Sequence, residues 1–127
     1  MTLLAFDFGT RRVGVATGSR FTGNAEPLKS LAVEGEARFV AIGRLIQEWQ
    51  PEALVIGVPF PPDGAEHEIT MRARKFGRQL KSRFRLAVFE VDERYTSVEA
   101  ESRGARDVDS AAAALVLEQF FREHPAP

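Results

Sequence analysis

Cysteine is absent from this chain of 127 residues, and histidine occurs only twice. The missing cysteine excludes a disulfide framework, a thiolate metal site and a thiol nucleophile, and it agrees with a reducing, cytoplasmic setting. The two histidines, His67 and His124, have no partner at the spacing of a metal site or a catalytic triad. The sequence also lacks Gly-Lys-Ser and Gly-Lys-Thr, which excludes a Walker-type nucleotide loop.

Long hydrophobic runs are missing as well. No apolar stretch approaches the ~18 residues of a membrane span, and the opening MTLLAFDFG lacks the basic start of a signal peptide. Charge is balanced, with 17 basic and 18 acidic residues and a net charge of −1. Because the sequence contains neither a membrane span nor a signal peptide, we expect no membrane partner. A globally basic nucleic-acid binder is excluded, but a local basic surface is not.

The content of 44% hydrophobic and 28% charged residues is typical of a globular protein, and the length predicts one domain over residues 1–127. Short apolar runs alternate with segments of helical spacing. The predicted strands are residues 3–8, 13–17, part of 25–33, 53–58 and 86–91, and the predicted helices are 36–49, 67–84 and 109–121. This order predicts an α/β fold in which a mixed five-stranded sheet carries helices on both faces.

Asp7 is the first candidate for chemistry because it lies inside the apolar segment LLAFDFG. A buried carboxylate without a partner costs several kcal/mol, so it needs a cation, a metal ion or strong donors. The alternative is an Asp that caps the following turn through backbone N–H groups.

Further acids follow the fifth predicted strand and begin the last predicted helix. Asp92 and Glu93 stand at the carboxyl end of a strand, where ligands gather in parallel sheets. Their side chains point to opposite faces, so only one can easily join Asp7; a salt-bridged strand end is the alternative. If the last helix begins at Asp107 as N-cap, Asp109 falls in its first turn, where ordinary capping would also explain an acid.

The three acids together predict a metal site. Converging carboxylates repel one another by roughly 4 kcal/mol per pair at about 4 Å and an effective dielectric constant of about 20. A divalent cation removes that penalty, and ligation by oxygen alone favours Mg²⁺ or Mn²⁺. Such a site, with two ions ~4 Å apart, suits phosphodiester hydrolysis.

Four segments resemble the YqgF family, also called RuvX, in sequence and in order: FDFGTRRVGVA, VIGVPFPPDG, VDERYTS and DVDSAAAALVLEQFF. The resemblance covers nearly the whole chain and implies a ribonuclease H-like fold. It also implies a cytoplasmic bacterial nuclease that depends on magnesium and trims the 5′ end of pre-16S ribosomal RNA, with Holliday junctions or other branched DNA as another substrate. By the same resemblance, the catalytic and metal-binding residues are Asp7, Glu93 and Asp109. The chain departs from the family in a shortened segment between Thr96 and Asp109.

A basic surface is predicted on the second helix, where residues 72–85 contain seven cations and no acid. A run of one sign in a slightly acidic protein favours contact with a phosphate backbone, although such runs are usually only a solvated face. Two further arginines beside Asp7 either hold the scissile phosphate or are exposed turn residues. The predicted nucleic-acid-binding residues are Arg11, Arg12, Arg74, Arg78 and Lys81.

Two other functions fit parts of the sequence. Asp-Phe-Gly-Thr resembles the first phosphate loop of actin-like ATPases and sugar kinases, but those enzymes close two domains over a nucleotide and 127 residues supply one. A catalytically silent module of the same fold could hold RNA or a protein partner. The choice between structured RNA and branched DNA stays open because backbone contacts carry no base information. Monomer and homodimer also stay open, since a junction resolvase needs two symmetric sites.

Overall fold

The computed structural model describes residues 2–60, 67–93 and 107–125, and within them the predicted order of strands and helices is confirmed. Asp63, a weaker candidate acid in the turn sequence Pro-Pro-Asp-Gly, lies outside the described residues, as does the shortened segment between Thr96 and Asp107. The elements are β1 (Thr2–Asp7), β2 (Val13–Ser19), β3 (Asn24–Leu31), α1 (Gly35–Trp49), β4 (Ala53–Val58), α2 (Glu68–Phe84), β5 (Ala87–Asp92) and α3 (Val108–Glu123).

The five strands form one mixed sheet in the order β3-β2-β1-β4-β5. The first three strands pair antiparallel, whereas β1, β4 and β5 run parallel to one another. The central strand is β1, and its last residue, Asp7, pairs with Gly14 of β2 and Gly57 of β4. Asp7 therefore lies at the carboxyl edge of the parallel strands, at the end of β1.

Alternation along β1 divides the core into two layers. Leu4 and Phe6 face α1 and α2, in a cluster with residues such as Ile42 and Leu80. Leu3 and Ala5 face α3, in the second cluster. Because side chains alternate along a strand, Asp7 points to the α3 face, while Phe8 packs on the α1 and α2 face.

The helices α1 and α2 are also joined at the surface. Arg83 forms two hydrogen bonds of 2.8 Å with the carboxylate of Glu36, and its guanidinium lies 4.1 Å from the ring centre of Phe39. The apolar spacing of α1 predicts Val40 on the same inward side as Phe39, but Val40 is 49% exposed. No helix in the described part of the chain is both long and apolar enough to cross a membrane.

The start of α3 is fixed by Asp107, which confirms the predicted N-cap. Its carboxylate accepts a hydrogen bond of 3.1 Å from the backbone N–H of Ser110. The same oxygen accepts a bond of 2.5 Å from the hydroxyl of Ser30 in β3. These bonds lower the pKa of Asp107, although burial opposes them as the largest single effect. The cap therefore ties the first turn of α3, which carries Asp109, to the sheet.

We expect Asp107→Ala to lower the free energy of unfolding by about 1–2 kcal/mol, because loss of an N-cap side chain typically costs ~0.5–2 kcal/mol. Urea unfolding followed by circular dichroism measures the change. Asp107→Asn keeps an acceptor oxygen and is the matched control, with an expected change below about 0.5 kcal/mol. An alanine variant as stable as the wild type would contradict the capping role.

Candidate active site

The structure brings three of the predicted acids together at one edge of the sheet. Asp7 ends β1, Glu93 directly follows β5, and Asp109 lies in the first turn of α3. The carboxyl groups of Asp7 and Glu93 lie within hydrogen-bonding reach of each other, and the charge of Asp109 acts on Asp7. Three separate elements therefore supply three acidic side chains to one place.

Glu93, rather than Asp92, is the acid that meets Asp7. Glu93 is 8% exposed, and its backbone N–H donates to the carbonyl oxygen of Val58 at 3.2 Å, which extends the ladder between β4 and β5. Val91 is buried in the cluster under α3, so Glu93, two residues later, points to that same face. Asp92 points the other way and is exposed. The alternation of the strand decides what the sequence left open.

Two glycines make space for these acids, and sequence analysis missed both. A Cβ atom at Gly57 would lie 2.6 Å from the Oε2 atom of Glu93 and 2.7 Å from the Cγ2 atom of Val116. A Cβ atom at Gly14 would overlap the backbone carbonyl of Asp109. Both glycines pair directly with Asp7. The available signal was an isolated glycine inside each apolar strand, VGVA and VIGV, which often marks close approach.

The environment of Asp7 favours its protonated form. Removal from water raises its pKa from 3.8 to about 6, and the negative charge of Asp109 adds to this effect. The hydrogen bond from Glu93 acts in the opposite direction, because a donor stabilises the carboxylate. Negative charge at this edge is therefore only partly compensated by the protein.

Arg12 forms an ion pair with one of the acids. Its Nε atom lies 3.1 Å from the Oδ2 atom of Asp109, and the two side chains are 65% and 29% exposed. An ion pair this accessible contributes little to stability. Arg11 is exposed in the same turn. Breaking the ion pair with Asp109 would therefore cost little free energy, so Arg12 can bind another anion instead.

The chemistry of the three acids fits a divalent cation, although their present arrangement is not that of a closed site. Within residues 2–60, 67–93 and 107–125, no three acidic or histidine side chains are placed to hold a metal ion as they stand. Asp109 is engaged by Arg12, and the carboxyl group of Asp7 lies beside that of Glu93. The donor atoms are all oxygens with uncompensated charge, which is what Mg²⁺ and Mn²⁺ prefer.

The predicted basic face of α2 is partly occupied by other contacts. The Nε atom of Arg74 lies 3.4 Å from Glu90 of β5, and its guanidinium lies 5.3 Å from the ring centre of Phe60. Arg78 and Lys81 are exposed. Their contact with nucleic acid stays a prediction.

A family model described as "RuvX: Holliday junction resolvase" matches residues 1–123. The chain belongs to the RuvX family. The resemblance carried by the four sequence motifs is thereby confirmed. RuvX is a family of nucleases and resolvases, so the predicted class of function is confirmed with it.

Individual relatives agree with RuvX membership. Two are named "Putative pre-16S rRNA nuclease": that of Albidiferax ferrireducens is 60% identical over 95% of this chain and 78% of its own length, and that of a Polaromonas species is 58% identical over 98% and 90%. Among solved structures, Thermus thermophilus RuvC in complex with a Holliday junction superposes with a TM-score of 0.61. Its identity is 14%, over 97% of this chain and 95% of RuvC. This likeness confirms the ribonuclease H-like fold.

We expect Gly57→Ala to lower the free energy of unfolding by about 1–3 kcal/mol and to displace the Glu93 carboxylate, because an added methyl has no space there. Gly77→Ala in α2 is the control. Its Cβ atom would meet no atom closer than 3.5 Å, and alanine is the better helix former by about 1 kcal/mol. Urea unfolding compares the two variants. Equal stability of Gly57→Ala and wild type would show that the glycine is not required.

The raised pKa of Asp7 predicts a pH-dependent stability. Since the folded state binds this proton more tightly than the unfolded chain, the contribution is fully present below about pH 4 and is lost as the pH rises through about 6. In EDTA at pH 7.5, Asp7→Asn should therefore be more stable than wild type, by up to about 3 kcal/mol at ~1.4 kcal/mol per pKa unit.

Thermal unfolding between pH 4 and 8 measures this difference, which should shrink towards pH 4. Glu48→Gln, which removes an exposed acid of α1, is the control and should follow the wild-type profile. Parallel profiles of Asp7→Asn and wild type would contradict the assignment.

Proposed function

We propose that this chain hydrolyses phosphodiester bonds with a divalent cation, Mg²⁺ or Mn²⁺, held by Asp7, Glu93 and Asp109. The observation that carries the proposal is the convergence of these acids from three elements at one sheet edge, in the space left by Gly14 and Gly57. Nothing in the packing of a purely structural acid requires such an arrangement, since clustered carboxylates repel one another. The retained acids also argue against a catalytically silent module.

Each residue has a role that follows from its position. Asp7 lies between the other two acids on the central strand and would contribute to every cation bound there. Glu93 and Asp109 would complete the set of oxygen ligands, once Asp109 leaves Arg12. A divalent cation supplies the positive charge that activates water and stabilises the leaving oxygen of a phosphodiester. Arg12, released from Asp109, would then hold the scissile phosphate with Arg11 beside it.

RNA is the substrate that we favour, at the 5′ end of pre-16S ribosomal RNA. Relatives with that name are 58–60% identical and cover 95–98% of this chain. Branched DNA is the second candidate, because the family description and the solved RuvC complex both refer to Holliday junctions. In either case Arg74, Arg78 and Lys81 would contact the backbone. An RNA-trimming enzyme can act as a monomer, whereas a resolvase requires a homodimer.

Cleavage assays with two labelled substrates test the proposal: an RNA with the 5′ leader of pre-16S rRNA, and a four-way DNA junction. With Mg²⁺ or Mn²⁺, Asp7→Asn, Glu93→Gln and Asp109→Asn should each lose at least about 100-fold in rate, since even outer ligands of metal sites are worth 10–100-fold. Asp92→Asn is the matched control and should retain the wild-type rate within a few-fold.

The same assays separate the alternatives. Cleavage of the junction alone would replace RNA with branched DNA as the substrate. Equal rates for wild type and Asp7→Asn would reject the assignment of the acids. A folded wild-type protein that binds both substrates and cleaves neither would identify the silent module.

A further inference from the structure

A cavity of about 290 Å³ opens between α1 and α2, on the face of the sheet opposite to α3. Its lining includes the aromatic rings of Phe8 and Phe76 and the cations Arg38, Arg72 and Lys75. Phe8 directly follows Asp7 and points to the other face, so the cavity and the acids share one sheet edge. They are separated by the turn that contains Thr10, which also lines the cavity.

Arg38 is a buried cation held by neutral groups. It is 6% exposed, its Nε atom donates to the carbonyl oxygen of Val33 at 2.9 Å, and its Nη2 atom donates to that of Thr10 at 3.1 Å. Its guanidinium lies 5.7 Å and 6.0 Å from the ring centres of Phe8 and Phe76. No carboxylate of the described residues forms an ion pair with it. A buried cation without a counter-ion is costly unless an anion joins it.

Arg72 and Lys75 add positive charge to the same cavity from α2. They are three residues apart, so they lie on one side of the helix, and both are exposed. Within the described ranges, neither of them has an ion-pair partner, whereas Arg74 contacts Glu90 and Arg83 contacts Glu36. Arg72 and Lys75 therefore line the cavity without an ion pair to any described residue.

The charges in the cavity are not balanced by its one acid. Burial lowers the pKa of Arg38 most, the positive charge of Arg72 lowers it further, and Glu34 acts in the opposite direction. Glu34 is also the N-cap of α1, yet its side chain makes no capping hydrogen bond. The positive end of the α1 dipole at Gly35 thus opens to the same space.

We propose that this cavity is a phosphate-binding subsite for a nucleotide that flanks the cleaved bond. Arg38, Arg72 and Lys75 hold the phosphate, and the rings of Phe8 and Phe76 pack against the attached sugar or base. The volume suits one nucleotide and not a duplex, since sites for small ligands start at about 300 Å³. The inference rests on the proposed function, because it takes a nucleic-acid strand as the substrate. The strand would pass from the acids over the turn at Thr10 into the cavity.

Binding of short RNA tests the subsite without any cleavage. The probe is a fluorescent single-stranded hexanucleotide in EDTA, with anisotropy as the readout, and each probe is made with a 5′-phosphate and with a 5′-hydroxyl. The variant is Arg72→Ala with Lys75→Ala, since both side chains are exposed and their loss does not disturb the core. Arg38 is kept, because it also braces the turn at Thr10. The control, Arg44→Ala with Arg122→Ala, removes the same charge from other exposed positions.

We expect the cavity variant to bind the probe about tenfold more weakly than the control variant, with a salt dependence reduced by about one counterion. If the bound phosphate is the terminal one, the probe without a 5′-phosphate binds wild type about tenfold more weakly, whereas the cavity variant binds both probes alike. If the bound phosphate is internal, the cavity substitutions weaken the binding of both probes to the same extent. Either result supports the subsite.

Equal affinity of the cavity variant and the control variant would overturn the subsite. That outcome is distinct from failure of the proposed function, because Asp7→Asn tests the acids through cleavage, whereas these variants are tested through binding in EDTA. Cleavage that depends on Asp7, combined with equal binding by the two variants, would reject the subsite and leave the nuclease assignment intact.

Discussion

The backbone around Asp7 is packed so closely that the residues paired with it on the two neighbouring strands can carry no side chain. Asp7 has Gly14 on one side and Gly57 on the other, in register on the two neighbouring strands. One glycine admits the first turn of α3 and the other admits the carboxylate of Glu93. The arrangement of the sheet, the entry of α3 and the grouping of the acids all depend on these two positions. A glycine within a strand weakens it, so the site is supported at some cost to the sheet.

That cost is added to an electrostatic one. The protein holds Asp7 away from water and close to two other acids, and the exposed Arg12 offsets part of the repulsion through Asp109. This compensation is weak, because an accessible ion pair contributes little to stability. The remainder of the fold is conventional by comparison: β4 is buried along its whole length, and the capped helix α3 covers one face of the sheet. Stability therefore comes from the core, and the edge can remain electrostatically strained.

Local sequence patterns predicted the strands and helices. The grouping of side chains in the site depends on contacts between distant residues, which local patterns do not show. Apolar runs identified β1 and β4, and the acid before the last helix identified the Asp107 cap. The choice between Asp92 and Glu93 required the alternation of β5 relative to α3, which the sequence does not show. Glu36, the partner of Arg83 in α2, is 47 residues away, and no local pattern could have predicted the pair. The cavity could not be predicted because its cations come from two helices, and helical periodicity relates only residues of the same helix.

The glycine at position 57 has a consequence for divergence within the family. A lineage that no longer needs the reaction is free to lose either an acid or this glycine, and the second loss leaves every acid in place. Such a descendant would keep all three acids, yet would lack the space in which they meet. Position 57 is therefore an independent marker of whether a related chain has retained its chemistry or only its ancestry.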